Sequence, residues 1–254
     1  MRIEPGGPAV AVYALRLGDD ALIVAQQLGK WAARAPELAE DVALTNIGLD
    51  LLGQARILLS YAGELIGGLT EDDLAFLRDE RAFLNCQLVE QPNGDFAATI
   101  ARQLLFSAYQ YELYDALQSS ADPTLAAVAG KAVKEVAYHR DHATQWTLRL
   151  GDGTPKSTRR MQAGVDALWP YAAELFESDA LLADLVAVGV APDPAQLRSG
   201  WAGYLTPVLS AATMTPPASE WAPTGGRSGL HTEGFGFLLA EMQYLHRSHP
   251  GASW

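Results

Sequence analysis

Two stretches constrain the fold of this chain before anything else. Ala43–Leu59 (ALTNIGLDLLGQARILL) and Ala97–Leu117 are each long enough for a bundle helix and apolar around nearly the whole circumference. A helix with no polar face has nothing to offer water, so both are expected at the centre of a helical assembly. Elsewhere apolar residues recur at helical spacing, and strand-like alternation bounded by turn signals is nearly absent. The predicted class is all-α.

Capping and breaking residues set the expected boundaries. A first helix is predicted from about Asp19 to Trp31, with Asp19 or Asp20 as its cap. A second starts at Pro36 and runs to about Leu65, where Gly67-Gly68 stops it. Thr70-Glu-Asp-Asp73 resembles a capping arrangement for a short helix to Phe76, and the course of RDERAFLN after it stays open. Asp95 caps a helix to Gln118, and Asp122-Pro123 opens one to Leu150. Past the loop GDGTPKS, helices are predicted at 158–176, 179–188, 194–212 and 232–248, with 213–229 as a long loop. The whole is expected to form a single domain over 1–254, with residues 1–12 as a tail.

Charge and cysteine content narrow the function classes. With 18 basic and 30 acidic residues the net charge is −12, which argues against nucleic acid or an anionic membrane as partner. A single cysteine, Cys86, rules out an internal disulfide framework and fits a reducing cytoplasm; a lone thiol there is more often a small core residue than a nucleophile. No stretch reads as a signal peptide or a membrane span, and there is no nucleophile elbow, P-loop or dinucleotide fingerprint.

The chemistry-bearing residues cluster in KEVAYHRDH, and no histidine precedes His139. A di-iron bundle takes one carboxylate from each of two helices and a Glu-x-x-His from each of two others. Glu135 is followed at the required spacing by Tyr138, with His139 one position out of register. Thirty residues before Glu135 stands Leu105, flanked by Gln103 and Ser107, with no acid within a turn; Glu112 faces another side of its helix. In the first half Asp50 is a candidate carboxylate, and thirty residues on the chain reads Glu80-Arg-Ala-Phe83, with Phe83 where a histidine should stand. The expected result is a vestigial site that holds no metal. A smaller zinc site from Glu112, Glu135 and His139, or from His139 and His142, competes with the commoner reading of helical histidines as hydrogen-bonded residues. Asn46, Asp50 and Gln54 form a polar line that is either a register-fixing ladder or a proton-relay or metal carboxylate.

Long segments carry a resemblance: YALRLGDDALIVAQQLGKWAARAPELAEDVALTNIGLDLLGQARILLSYAGEL, DDLAFLRDERAFLN, LVEQPNGDFAATIARQ, KAVKEVAYH and GLHTEGFGFLLAEMQYLHR. They are similar, from Tyr13 to Trp254, to the C-subunit family of the bacterial phenylacetyl-CoA epoxidases (ring-1,2-phenylacetyl-CoA monooxygenases). The resemblance implies a ferritin-like helical bundle with extra C-terminal helices and a degenerate di-iron site. It implies a structural, non-catalytic subunit paired with a catalytic A subunit that holds the di-iron centre, inside a larger assembly acting on phenylacetyl-CoA. It also implies that FAD, an iron–sulfur cluster and NADPH enter through a reductase subunit and that this chain binds none of these cofactors. Arg78, Arg81, Ala82, Phe83, Leu84 and Asn85 are then candidates for a substrate- or CoA-proximal edge, with Ala183, Asp184 and Leu185 as a second; Arg78 and Arg81 pairing with Asp79, Glu80 or partner acids is the competing reading. Lys131 and Lys134 are candidates to neutralise acids left in the vestigial core. A free-standing helical acyl-CoA-binding protein, or an oxygenase in its own right with an atypical metal site, are the alternatives.

Overall fold

A computed structural model describes residues 8–218 and 221–252. Among them every regular element is helical, as expected: α1 (Ala9–Gly29), α2 (Leu38–Ile66), α3 (Glu71–Phe76), α4 (Gln87–Glu90), α5 (Phe96–Leu117), α6 (Pro123–Gly151), α7 (Pro155–Leu168), α8 (Ala180–Ala187), α9 (Pro194–Ala211) and α10 (Phe235–Ser248). Short 3-10 turns lie at Glu80–Ala82, Trp169–Phe176 and Gly226–Ser228.

Side chains set most starts. Asp95 accepts from the Ala98 amide and opens α5; Asp122 accepts from Thr124 and Leu125, with Pro123 in the first turn of α6. Thr70 and Asp73 form a full capping box on α3, and Thr154 with Ser157 does the same for α7. Gly67 and Gly68 end α2 in the left-handed region that L side chains avoid.

Several expectations are corrected. α1 begins at Ala9, ten residues before the expected cap, so residues 9–12 are its first turn rather than tail, and residues 1–7 lie outside the described residues. Asp19 and Asp20 are not caps: both are buried mid-helix, held by arginines far along the chain. Thr154-Pro155 starts α7 three residues inside the expected loop, and Pro170 shifts its continuation from α-helix into 3-10 geometry.

The last correction concerns the two apolar stretches. α5 is buried along almost its whole length. α2 is not: Leu44, Ile47, Leu51, Leu58 and Leu59 are buried, while Val42, Leu49, Leu52 and Ile57 stand in solvent. By length and composition alone α2 could cross a membrane, yet 44% of its most apolar window is buried in the chain.

Two compact units divide the chain, one of Met1–Arg34, Asp41–Pro92 and Gly225–Trp254, the other of Ala35–Glu40 and Asn93–Thr224. In the first, α1 and α2 form an antiparallel pair. A side chain at Gly18 would come within 3.0 Å of Leu59, and one at Gly48 within 3.5 Å of Leu28, so the glycines allow the helix axes to approach closely. In the second, α5 and α6 form an antiparallel hairpin closed at its open end by Phe96 against Trp146, edge to face at 4.9 Å.

Candidate functional site

The α5–α6 hairpin carries the residues expected to hold metal in the second unit. The register set by Phe96 and Trp146 brings Ser107 level with Glu135 and Gln103 level with His139. Ser107 and Gln103 are buried, and Ser107 Oγ and Gln103 Oε1 have no hydrogen-bond partner among the described residues. A ferritin-type centre would need a carboxylate there. His139 is buried, whereas Tyr138 is 52% exposed and turned away from the core.

The remaining charges of this region are engaged elsewhere. Exposed Lys131 approaches half-buried Glu135 at 3.5 Å in an i, i+4 pair, and Lys134 is exposed, so neither lysine neutralises a buried acid. Glu112 faces Arg140 at 3.6 Å. Burial raises the Glu112 carboxyl above its ordinary value, the Arg140 charge opposes this, and Asp115 adds to it. Arg140 itself lies over the rings of Tyr111 and Tyr204, at 3.5 and 4.1 Å. His142 Nε2 pairs with Glu40 at 2.8 Å. The zinc combinations considered from sequence are therefore not assembled. Arg102, also buried, donates to Asn93 Oδ1 at 2.6 Å, and burial pulls its guanidinium down to about 10.

In the first unit the structure corrects the half-site built on Asp50 and Glu80. The helix antiparallel to α2 is α1, and its register sets Asp50 level with Gln26 and Gln27. Glu80 sits instead on an exposed 3-10 turn, close to Gly236 of α10. Phe83 is in the core, edge to face with Phe235 at 5.7 Å. The polar line on α2 grades from exposed Asn46 through half-buried Asp50 to buried Gln54 rather than being uniformly buried. Among the described residues no group of three or more His, Cys, Asp or Glu side chains is placed to hold a metal ion. The donor set does not fit a di-iron centre.

Three buried pairs in this unit tie α1, residues 78–90 and residues 225–232 together. Asp19 and Arg78 are fully buried and doubly hydrogen-bonded, with Arg78 Nη1 to Asp19 Oδ2 at 2.9 Å. The Arg78 guanidinium also lies 4.1 Å from the centre of the Phe83 ring. Asp19 accepts further from the Leu84 amide at 2.8 Å, and Asp20 from the Cys86 amide at 2.8 Å. Arg227 donates to both Asp20 oxygens at 3.0 and 2.7 Å, and to the carbonyls of Arg16 and Leu84. Burial raises the Asp20 carboxyl above the ordinary 3.8, and Arg227 opposes the rise. Glu90 receives Asn85 Nδ2 at 3.1 Å, the Thr232 amide at 2.6 Å and His231 Nδ1 at 2.8 Å, while His231 Nε2 meets the Phe83 carbonyl at 3.0 Å. Both ring nitrogens of His231 lie within hydrogen-bond distance of an oxygen. All three acids are matched, which makes this a set of staples rather than a reaction centre.

That network redefines the segment expected to face substrate. Arg78 pairs with Asp19, not with Asp79 or Glu80, and its burial leaves nothing to meet a phosphate. Phe83 and Asn85 are buried, and Ala82 and Leu84 half-buried; Arg81 alone of the six is exposed. On α8, Ala183 and Asp184 are exposed and Leu185 is buried. Cys86 is buried and forms no disulfide, as its expected core role requires.

Sequence reasoning gave Asp20 only a capping role and did not single out Glu90 or Arg227. Glu90 and His231 do lie in two of the long segments, LVEQPNGDF and GLHTE, that set this chain apart from an arbitrary helical protein.

The chain is 50% identical over 245 residues, 96% of its length and 99% of the relative's, to the C-subunit of the 1,2-phenylacetyl-CoA epoxidase of Escherichia coli (strain K12). A solved structure, "Protein 19 with aldehyde deformylating oxidase activity from Synechococcus", superposes with a TM-score of 0.55 at 18% identity, over 81% of this chain and 94% of the other. At that identity the likeness concerns the fold alone, which is ferritin-like. Residues 4–254 match the profile of a family described as "Phenylacetic acid catabolic protein". With that match over nearly its whole length, the chain belongs to the phenylacetic acid catabolic protein family.

Proposed function

We propose that this chain is a component of a 1,2-phenylacetyl-CoA epoxidase and acts there as its non-catalytic structural subunit. The observation that carries the reading is the donor set of the α5–α6 hairpin: neutral Ser107 and Gln103 stand level with Glu135 and His139, where iron would need a carboxylate. Near-complete coverage of a relative named as an epoxidase C-subunit supports the same role.

In this reading a separate catalytic A subunit holds the two irons and pairs with this chain. Such a centre would supply the activation of O₂ by which one oxygen atom is placed across an aromatic ring bond of phenylacetyl-CoA. The other oxygen leaves as water, using two electrons and a proton from NADPH with one further proton, delivered through a flavin and iron–sulfur reductase. This chain's residues supply rigidity: the Asp19–Arg78, Asp20–Arg227 and Glu90–His231 pairs fix three segments that apolar contacts alone would let slide. The acidic surface fits a cytoplasmic protein that engages neither nucleic acid nor a bilayer.

Turnover of phenylacetyl-CoA with NADPH and O₂ tests the proposal. The isolated chain with reductase is expected to give no epoxide, and adding the chain to the catalytic subunit and reductase to raise the rate. Epoxide formed by the isolated chain, together with stoichiometric iron, would establish an oxygenase instead. Tight binding of phenylacetyl-CoA by the chain alone, with no association with the other subunits, would make it a free-standing acyl-CoA carrier.

A further inference from the structure

The second unit holds a pocket of about 210 Å³ walled by aromatic rings. It lies between the 3-10 turn at Trp169–Phe176, the first half of α9 and residues 221–222. The turn contributes Trp169 and Phe176, α9 contributes Trp201, and the loop after α9 contributes Trp221. Trp201 is buried, with its ring centre 5.1 Å from that of Trp169 and 5.2 Å from that of Phe176. Trp221 is held edge to face against Tyr171 at 5.4 Å, yet 59% of it stands in water. Such walls offer ring faces and edges, which a further ring can meet in stacked or edge-to-face geometry. A ring seated there would also cover apolar area that Trp221 now leaves in solvent.

Size and charge narrow the occupant. A cavity of about 150 Å³ with apolar walls admits one benzene ring. This pocket therefore has room for one ring with a short polar arm and none for a nucleotide. Arg198 is the only charged residue among those that line it. Its side chain is exposed and has no hydrogen-bond or ion-pair partner among the described residues. Trp201 Nε1 already donates to the Leu105 carbonyl at 2.9 Å. The polar arm thus meets the guanidinium, whose planar fork fits a carboxylate through two parallel hydrogen bonds. An aromatic ammonium, the usual guest of an aromatic cage, would face a like charge here. In a chain of net charge −12, a pocket whose only charge is positive selects for an anion.

We propose that this pocket binds a small aromatic carboxylate, with its ring among Trp169, Phe176 and Trp221 and its carboxylate on Arg198. None of these residues belongs to the α5–α6 donor set, and binding does not depend on the chain's being a structural subunit.

Calorimetric titration of the purified full chain with phenylacetate, one ring on a short carboxylate arm, tests it. A single site with a Kd of about 1 mM or tighter is expected. Acetate, which lacks the ring, and phenethylamine, which reverses the charge, should each bind at least about tenfold more weakly. Arg198→Gln should weaken phenylacetate binding about tenfold or more, the effect of losing a charge-assisted hydrogen bond. Trp221→Ala should weaken it as well. Both side chains are exposed, so neither variant should melt below wild type. Arg159→Gln, at an exposed arginine of α7, should bind as wild type does. No saturable binding by wild type, equal affinity for phenethylamine, or full affinity in both pocket variants would each overturn the proposal. So would a wild type that binds no phenylacetate but loses association with the epoxidase subunits on Trp221→Ala, since the pocket would then receive a partner's side chain.

Discussion

Arg78→Ala should destabilise the chain by about 3–5 kcal/mol, a large part of the roughly 5–15 kcal/mol that holds a typical domain folded. The side chain is fully buried, and its removal strands Asp19, equally buried, with a charge that water cannot reach. It also removes the donor to the Ala82 carbonyl at 2.9 Å and the cation over the Phe83 ring at 4.1 Å. The cost is that of an orphaned charge, not of a lost attraction. Replacing both partners, as Asp19→Leu with Arg78→Met, should therefore recover part of the loss. Urea denaturation of the isolated chain reads both effects. A single-variant loss below about 1 kcal/mol, within the range of an exposed ion pair, would show that the pair is not buried as described.

Arg227→Ala should cost about 2–4 kcal/mol near neutral pH, and the deficit should shrink in acid. Burial already raises the Asp20 carboxyl above its ordinary 3.8 in the folded chain, and Arg227 opposes that rise. A carboxyl raised on folding binds its proton more tightly in the native state. Its contribution to stability is thus fully present below the unfolded value of about 3.8 and is lost as pH rises through the folded value. Without Arg227 the folded value moves further up, so the variant loses more than wild type as pH climbs from there toward neutrality. Denaturation midpoints of wild type and variant, measured from pH 4.5 to 8, should diverge with rising pH. Parallel curves would contradict the role given to Arg227.

Much of the fold was legible because local chemistry marks the ends of helices. Gly67-Gly68 and Asp122-Pro123 mark observed boundaries, and the loop read at GDGTPKS ends within three residues of the start of α7. Asp19-Asp20 misled for a physical reason: adjacent aspartates resemble a cap unless distant arginines take their charge, and Arg78 and Arg227 lie 59 and 207 residues away. Composition along α2 could not tell the buried face from the exposed one, since both are apolar. The comparison of half-sites failed for the first unit because it stepped thirty residues forward from Asp50, past the end of α2, to the 3-10 turn of Glu80. The helix facing Asp50 lies behind it, in α1. In the second unit Ser107 could be set against Glu135 from sequence because the hairpin joining α5 and α6 is short.

Native mass spectrometry of the complex isolated from cells expressing all epoxidase subunits, with metal determined on each separated subunit, addresses the central claim most directly. The expected result is this chain in a whole-number ratio to the catalytic subunit, with iron on that subunit and none retained by this chain. Two irons recovered on this chain, or its absence from the active complex, would contradict it.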